Sequence, residues 1–193
     1  MKSIIAWLKS NHTAITSLAA ILISAIALFV AWDQSRVMRA QQHADVWPAV
    51  QVETQMSTED GQHIFLVGMT NDGIGPALIN RIDAVFAGEA LRHWEEMGTR
   101  RPDGLPRPDM WTGGSQGAIL APGETVVLAQ ITWPASEERW PLIRDYQQDF
   151  FAVTVEACYC SVYGRCWTAR RDGRTNHPEP IDACPAADPD SNL

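Results

Sequence analysis

The sequence predicts a mainly β protein, an antiparallel β-sandwich carried on one N-terminal transmembrane helix. Two observations lead to this fold class. Residues 14–32 form a stretch of 19 residues without a charge, and a helix of that length spans ~28 Å, close to the hydrocarbon thickness of a bilayer. The rest of the chain contains short apolar or alternating segments separated by turn residues, which is the pattern of an all-β sandwich.

The charge-free stretch predicts an uncleaved membrane anchor, in preference to a signal peptide or a core helix. It carries nine Ile, Leu, Val or Phe residues, which together favour insertion by roughly 4 kcal/mol. A signal peptide needs a small-x-small cleavage site behind a short apolar core, whereas the pair Ala25 and Ala27 lies inside the run. The predicted segments are a head at 1–12, a transmembrane helix at 13–32 and a helical juxtamembrane linker at 33–46.

Charges on both sides of the helix bear on its orientation. Lys2 and Lys9 precede it and Arg36 and Arg39 follow it, so the count of Lys and Arg is tied. The amino-terminal charge and the short head favour a cytoplasmic N-terminus. A face of small residues is a candidate contact for a homo-oligomer through the transmembrane helix. This face consists of Ala20, Ser24, Ala27 and Ala31.

Composition after the anchor predicts one acidic domain. The 161 residues after position 32 suffice for a single core; they contain 13 Arg, 23 acidic residues and no Lys, a net charge of −10. This balance excludes nucleic acid as an expected partner, because its binding requires clustered positive charge. We place the β-sandwich at 47–184 and expect the acidic, Pro-rich tail at 185–193 to be disordered.

Turn residues delimit the predicted elements of this domain. The apolar run at 63–70 is bounded by Asp60-Gly61 and by Asn71-Asp72-Gly73, which are turn signals. Residues 98–117 are rich in Pro, Gly and Arg without periodicity and predict a long loop. The predicted strands lie at 50–53, 63–70, 77–86, 124–133 and 150–162, and the predicted helices at 89–97 and 136–146.

All four cysteines lie late in the chain, at Cys158, Cys160, Cys166 and Cys184. An even, clustered set on the far side of a membrane predicts two disulfides. In a strand Cys158 and Cys160 point to one face, so each must bond to another cysteine. A turn around Gly164 would bring Cys166 beside Cys160. That pairing, with Cys158 bonded to Cys184, is slightly favoured over the crossed one. A four-cysteine zinc site and free buried thiols are the alternatives, although zinc knuckles favour C-x2-C spacing.

A glycine-containing turn joins two of the predicted strands. Gly73 and Gly75 permit a positive φ or a bulge, and Asn71 can hydrogen-bond the turn backbone. Pro76 fixes the exit into the next strand. We interpret these four residues as a structural turn and not as a binding loop.

The same turn carries a resemblance to a family. N-x-G-x-G-P-A at 71–77, a Pro-Gly-Glu turn at 122–124 and C-Y-C-S…C-W at 158–167 are similar to segments of uncharacterised bacterial single-pass membrane proteins. The overlap covers the anchor and most of residues 47–167, and the middle of the chain resembles immunoglobulin-like modules that carry N-x-G between two strands. The resemblance implies an immunoglobulin-like sandwich in the bacterial inner membrane, with a periplasmic domain. It implies no activity.

Catalytic motifs do not occur in the sequence. The segment at 93–96 lacks the second His of a helical zinc site, and the one at 113–115 lacks the Lys of a phosphate-binding loop. We therefore expect no enzyme, no cofactor and no metal. Trp111, close to Gly113 and Gly114, is a candidate protein-interface residue. The expected function is that of a membrane-anchored envelope protein whose β-sandwich binds another protein. The alternative is a ligand-sensing receptor domain that signals through the transmembrane helix.

Overall fold

A computed structural model describes residues 11–171, 178–191 and 193, apart from the side chains at positions 14, 15 and 43. The chain divides after Ala44 into a helical unit and a β-sheet unit. Residues 1–10 of the predicted head lie outside the described residues.

The described part of the helical unit is one α-helix, α1 (His12–Ala44), of 33 residues. Its span Thr16–Gln42 is long and apolar enough to cross a membrane, by length and composition. The helix continues without a break through the predicted linker as far as Ala44. Three hydroxyl groups in its first half donate to backbone carbonyls of the same helix, which lowers their cost in hydrocarbon. Thr16 donates to His12 O, Ser17 to Thr13 O and Ser24 to Ala20 O.

The described part of the β-sheet unit contains two antiparallel sheets, which confirms the predicted mainly β, antiparallel fold class. Its strands are β1 (Val50–Glu59), β2 (Gln62–Asn71), β3 (Ala77–Phe86), β4 (Glu89–Leu91), β5 (Asp109–Thr112), β6 (Ile119–Leu120), β7 (Thr125–Pro134), β8 (Thr154–Cys160), β9 (Cys166–Arg171) and β10 (Glu179–Ile181). Two helices accompany them, α2 (Glu96–Thr99) and α3 (Trp140–Phe151). The first sheet has the strand order β1-β2-β7-β5, and the second has the order β10-β9-β8-β3-β4 with β6 paired to β3.

Residues from both sheets and from α3 share one hydrophobic core. Tyr146 of α3 packs edge-on against Trp133 and Phe65, with ring centroids 4.8 and 5.4 Å away. Such aromatic pairs contribute about 0.5–1.5 kcal/mol each beyond the area they bury. The Tyr146 hydroxyl donates to Met97 O at 3.2 Å, and burial raises its pKa. The helix α3 is therefore part of the sandwich core.

Several elements differ from the sequence-based expectation. Residues 89–97, predicted as a helix, begin with β4, which pairs with β3. The loop between these strands is Ala87-Gly88, with φ of 50° and 80°. Two consecutive positive φ values are typical of a type I′ turn, which directs the chain back into a strand. The predicted loop at 98–117 contains β5, and the strand predicted at 150–162 begins at Thr154 because α3 extends to Phe151.

Two residues in the segment 185–193, for which the sequence predicts disorder, make contacts with the rest of the β-sheet unit. Ala186 O accepts a hydrogen bond from Arg81 Nη1 at 3.0 Å, and Leu193 is 1 % exposed within the core. A disulfide between Cys158 and Cys184 attaches the start of this segment to β8. A covalent attachment reduces the conformational entropy that ordering would cost. This attachment cannot be predicted from the acidic, Pro-rich composition of the segment.

Candidate functional site

The predicted site residues fall at three places in the β-sheet unit. The turn that begins at Asn71 lies where the chain passes from β2 in the first sheet to β3 in the second. The cysteines lie on β8, on β9 and after β10. Trp111 lies on β5, at the edge of the first sheet. These places are structurally distinct, so the contacts of each decide what it does.

The Asn71 side chain is fully buried and makes four hydrogen bonds. Its Oδ1 accepts from the amides of Ala49 and Gly73 at 3.1 and 3.0 Å. Its Nδ2 donates to Gly75 O and Leu120 O at 2.9 and 3.0 Å. A carboxamide has two donors and two acceptor lone pairs, so its capacity is filled. The loss of one partner from such a buried group costs roughly 1–3 kcal/mol.

Backbone hydrogen bonds join the same stretches of chain. Asp72 N donates to Ala49 O at 2.9 Å, and Ile74 N donates to Trp47 O at 3.0 Å. On the other side, Gly123 N donates to Asn71 O at 2.7 Å. The turn is thus bonded both to residues 47–49, where the chain begins the β-sheet unit, and to the link between β6 and β7.

Gly73 and Gly75 serve the turn through close backbone approach. Neither has the positive φ considered from the sequence. A Cβ on Gly73 would collide with the backbone of Trp47 and Ala49, and a Cβ on Gly75 would collide with the backbone of Val46. The two glycines therefore let residues 46–49 lie directly against the turn, and this contact is long-range and invisible in local sequence.

The first strand is also bonded to the second sheet. Val50 N donates to the hydroxyl of Tyr159 at 3.2 Å, and the Tyr159 ring stacks on Trp167 with centroids 6.0 Å apart. Burial raises the pKa of Tyr159 to about 12, although the hydrogen bond from Val50 acts in the opposite direction. The hydroxyl therefore stays protonated at neutral pH while its oxygen accepts the hydrogen bond from Val50.

Replacing Gly75 by Ala tests the close approach. The added Cβ meets backbone atoms of Val46, which cannot rotate away as a side chain could. We expect the free energy of unfolding to fall by about 1–3 kcal/mol. Gly114→Ala is the matched control and should change it by less than about 0.5 kcal/mol, because nothing lies within 4 Å of a Cβ at Gly114. Denaturant unfolding of the full chain in detergent micelles measures the free energy of unfolding of both variants. Equal stabilities of Gly75→Ala and Gly114→Ala would contradict the close-approach account.

The cysteines form two disulfides, Cys158–Cys184 and Cys160–Cys166, which is the pairing that the sequence slightly favours. They take up all four sulfurs, in place of the zinc site or the free thiols considered as alternatives. Cys160 and Cys166 lie directly opposite each other on β8 and β9. Cys160 Sγ also lies 3.7 Å from Cys184 Sγ. The two disulfides therefore contact each other.

The outer face of the first sheet carries two rows of mostly uncharged side chains. Directly paired residues of antiparallel strands point to the same face, and the strand register aligns four residues in each row. Asp109 is the one charged residue among the eight. We call these eight residues the first-sheet face. One row is Gln55, Leu66, Gln130 and Trp111, and the other is Ser57, Ile64, Thr132 and Asp109.

Trp111 ends its row and is 55 % exposed. A Cβ on Gly113 would lie 2.9 Å from the Trp111 ring, so the ring lies over Gly113 and needs the space that a glycine leaves. On the opposite side of β5, Thr112 donates to Glu95 Oε1 at 3.1 Å. The aromatic ring is therefore held in place along the strand while remaining accessible. Large, pre-positioned aromatic side chains dominate protein interfaces.

The sequence of β2 contains a signal for the first-sheet face, in addition to the signal that predicts a strand. In β2, Phe65 and Val67 point into the core, while Ile64 and Leu66 point outward and are half-buried. A half-buried strand normally alternates apolar with polar residues, so an apolar run on both faces indicates that the outer face is also suited to a contact. The strand β5, which places Trp111, lies inside the predicted loop and carries no such signal.

A second candidate site is a cleft of about 350 Å³ lined by His63, Ala135, Ser136, Glu137 and Trp140. The His63 ring lies 5.1 Å from the Trp140 ring, and its Nδ1 shares a hydrogen bond of 2.9 Å with Thr58 Oγ1. Trp140 is 39 % exposed. A volume of this size is at the lower end of small-molecule sites. The cleft could admit a small apolar or aromatic ligand.

Comparison with known proteins adds no assignment: no family model and no curated protein matches this chain.

Proposed function

We propose that this is a membrane-anchored envelope protein whose β-sheet unit binds another protein through the first-sheet face, without catalysis. The observation that carries the proposal is the exposed Trp111 ring, held over Gly113 at the edge of a face with one charge among eight residues. Interface cores are depleted in charged residues and enriched in aromatic ones. Within the face, Gln55, Asp109 and Trp111 are exposed, Thr132 is buried and the other four residues are half-buried. An accessible aromatic residue beside apolar side chains favours a protein contact over a bare solvent surface.

The proposal includes an immunoglobulin-like class for the sandwich. Its support is the turn at 71–77, whose Asn71 side chain connects the two sheets as a buried N-x-G turn between strands would. It also includes the resemblance to bacterial single-pass membrane proteins. Immunoglobulin-like domains commonly serve recognition, which agrees with a binding function but specifies no partner.

We further propose that the protein lies in the bacterial inner membrane, with its N-terminus in the cytoplasm and its β-sheet unit in the periplasm. The support is the length and apolar composition of α1 together with two disulfides, which persist in oxidising compartments. Homo-oligomerisation through Ala20, Ser24, Ala27 and Ala31 is part of the same proposal, because small residues allow close helix packing in lipid.

The orientation predicts protease access from outside the inner membrane. Protease added to spheroplasts should remove a C-terminal epitope tag while a cytoplasmic marker protein stays intact. A second sample lysed with detergent controls for intrinsic resistance of the folded sheets. Protection of the tag in spheroplasts, with cleavage after detergent lysis, would contradict the periplasmic placement.

The first-sheet face predicts a strong effect of Trp111→Ala on binding. A photo-reactive amino acid at position 130, beside Trp111 in its row, should give a discrete cross-linked product in intact cells, detected by its shift in size. Trp111→Ala should reduce the yield at least about tenfold, since an aromatic anchor contributes roughly 2 kcal/mol or more. Ile119→Ala, at another exposed apolar residue (64 %) on the second sheet, is the matched control and should leave the yield unchanged.

The same experiment separates the alternative function. A ligand-sensing domain that uses the cleft would depend on Trp140 and not on Trp111, because Trp140 lines the cleft. Cross-linking that is lost in Trp140→Ala and retained in Trp111→Ala would therefore favour the ligand-sensing function. A cross-linked product of equal yield from position 156, on the second sheet, would contradict the assignment of the face itself.

A further inference from the structure

The two disulfides form a compact cluster of sulfur atoms. Cys160 Sγ and Cys184 Sγ belong to different disulfides but lie only 3.7 Å apart. Because both atoms are oxidised, they carry no proton and the contact is non-bonded. Cys166 Sγ lies within 4.8 Å of both. A sulfur set free from one disulfide would therefore already be next to a sulfur of the other.

We propose that this cluster is a thiol–disulfide exchange centre in which Cys184 changes its partner. Reduction of the hairpin disulfide, Cys160–Cys166, starts the exchange. Cys184 then leaves Cys158 and bonds to Cys160. The reagent that the centre takes is a dithiol reductant, and the product keeps one disulfide at a new position.

The exchange balances in two steps. A dithiol gives two electrons and two protons to the Cys160–Cys166 bond and leaves as its own disulfide, so both cysteines become thiols. The Cys160 thiolate then attacks Cys184 Sγ, and a new S–S bond forms as the Cys158–Cys184 bond breaks. The electron pair leaves with Cys158, which takes up the proton that Cys160 released. The second step needs no further oxidant or reductant.

The exposed turn beside Cys160 favours the hairpin disulfide as the point of attack. Each disulfide has one buried cysteine, Cys158 (4 % exposed) or Cys166 (7 % exposed), and one half-buried cysteine, Cys184 or Cys160. Cys160 is followed by a turn, 162–165, whose residues are exposed. A reagent can therefore approach Cys160 from the side of this turn. The Cys160 sulfur then lies 3.7 Å from the sulfur of Cys184, which belongs to the other disulfide.

The exchange would change where the C-terminal segment is attached to β8. Cys158 and Cys160 are two residues apart on one face of the strand, a separation of roughly 6.6–6.8 Å between their Cα atoms. Because Cys184 Sγ already lies 3.7 Å from Cys160 Sγ, it can change partner by a short movement. A change in thiol redox state would thus move the covalent attachment of the segment from Cys158 to Cys160.

The variant Cys166→Ser tests the exchange without any reductant, because it leaves Cys160 as a thiol beside an intact Cys158–Cys184 bond. The full-length variant in micelles is incubated at about pH 8.5, close to the ordinary pKa of a cysteine thiol. The sample is then quenched with acid and alkylated, and its disulfides are mapped by mass spectrometry of unreduced peptides. We expect at least about a tenth of the molecules to carry a Cys160–Cys184 bond. The two pairings join similar cysteines, so their equilibrium constant should lie within about tenfold of one.

The double variant Cys160→Ser, Cys166→Ser is the matched control. It has no attacking thiol in the cluster, so Cys184 should stay bonded to Cys158. Alkylation confined to Cys160 in the single variant, with Cys184 bonded only to Cys158, would overturn the proposal. Intermolecular disulfides in place of the Cys160–Cys184 bond would overturn it as well.

The wild-type chain gives a second route if Cys166→Ser does not fold. Treatment with a limiting amount of dithiol, followed by the same quench and mapping, should yield molecules with a Cys160–Cys184 bond and thiols at Cys158 and Cys166. Recovery of singly reduced molecules with only the Cys158–Cys184 bond would overturn the proposal.

Discussion

The fold of the β-sheet unit depends on one buried carboxamide. Asn71 lies where the chain leaves the first sheet for the second, and its four hydrogen bonds reach the start of the unit, the turn itself and the end of β6. These three stretches are far apart in sequence and meet where the strand pairs Val50–Asn71 and Ala77–Leu120 end. A side chain with two donors and two acceptors supplies the partners that the ladder lacks. The Asn71 side chain therefore pairs four backbone groups at this end of the sandwich.

The proposed interaction surface is the side of the first sheet that faces away from the core. The strands β2 and β7 bury one face in the core, whereas the first-sheet face is half-buried along its middle and exposed at Gln55, Asp109 and Trp111. The Trp111 ring lies against Gly113, where a Cβ would be only 2.9 Å from it. A fixed aromatic side chain loses little conformational entropy on binding. The disulfides and the C-terminal segment instead belong to the second sheet, so exchange there would proceed at a separate face.

The anchor, the strands and the preferred disulfide pairing could be predicted because each depends on local pattern. Apolar length gives α1, apolar or alternating segments between turn residues give β2, β3 and β7, and a two-residue spacing with a turn favours Cys160–Cys166. The remaining features are long-range. The close approach of residues 46–49 explains Gly73 and Gly75, pairing with β7 makes a strand of the predicted loop around Trp111, and the Cys158–Cys184 bond orders the C-terminal segment. None of these contacts leaves a periodic signal in the residues that make it.

The substitution Asn71→Asp tests the central claim most directly. Aspartate has nearly the same shape and can still accept from Ala49 and Gly73, but its carboxylate cannot donate and would face the carbonyls of Gly75 and Leu120. Asn80→Asp is the matched control, because Asn80 is exposed on β3. The measurement is the free energy of unfolding of both full-length variants in the same micelles at neutral pH. The account predicts a loss of about 3 kcal/mol or more for Asn71→Asp and almost none for Asn80→Asp, whereas equal stability of the two variants would contradict it.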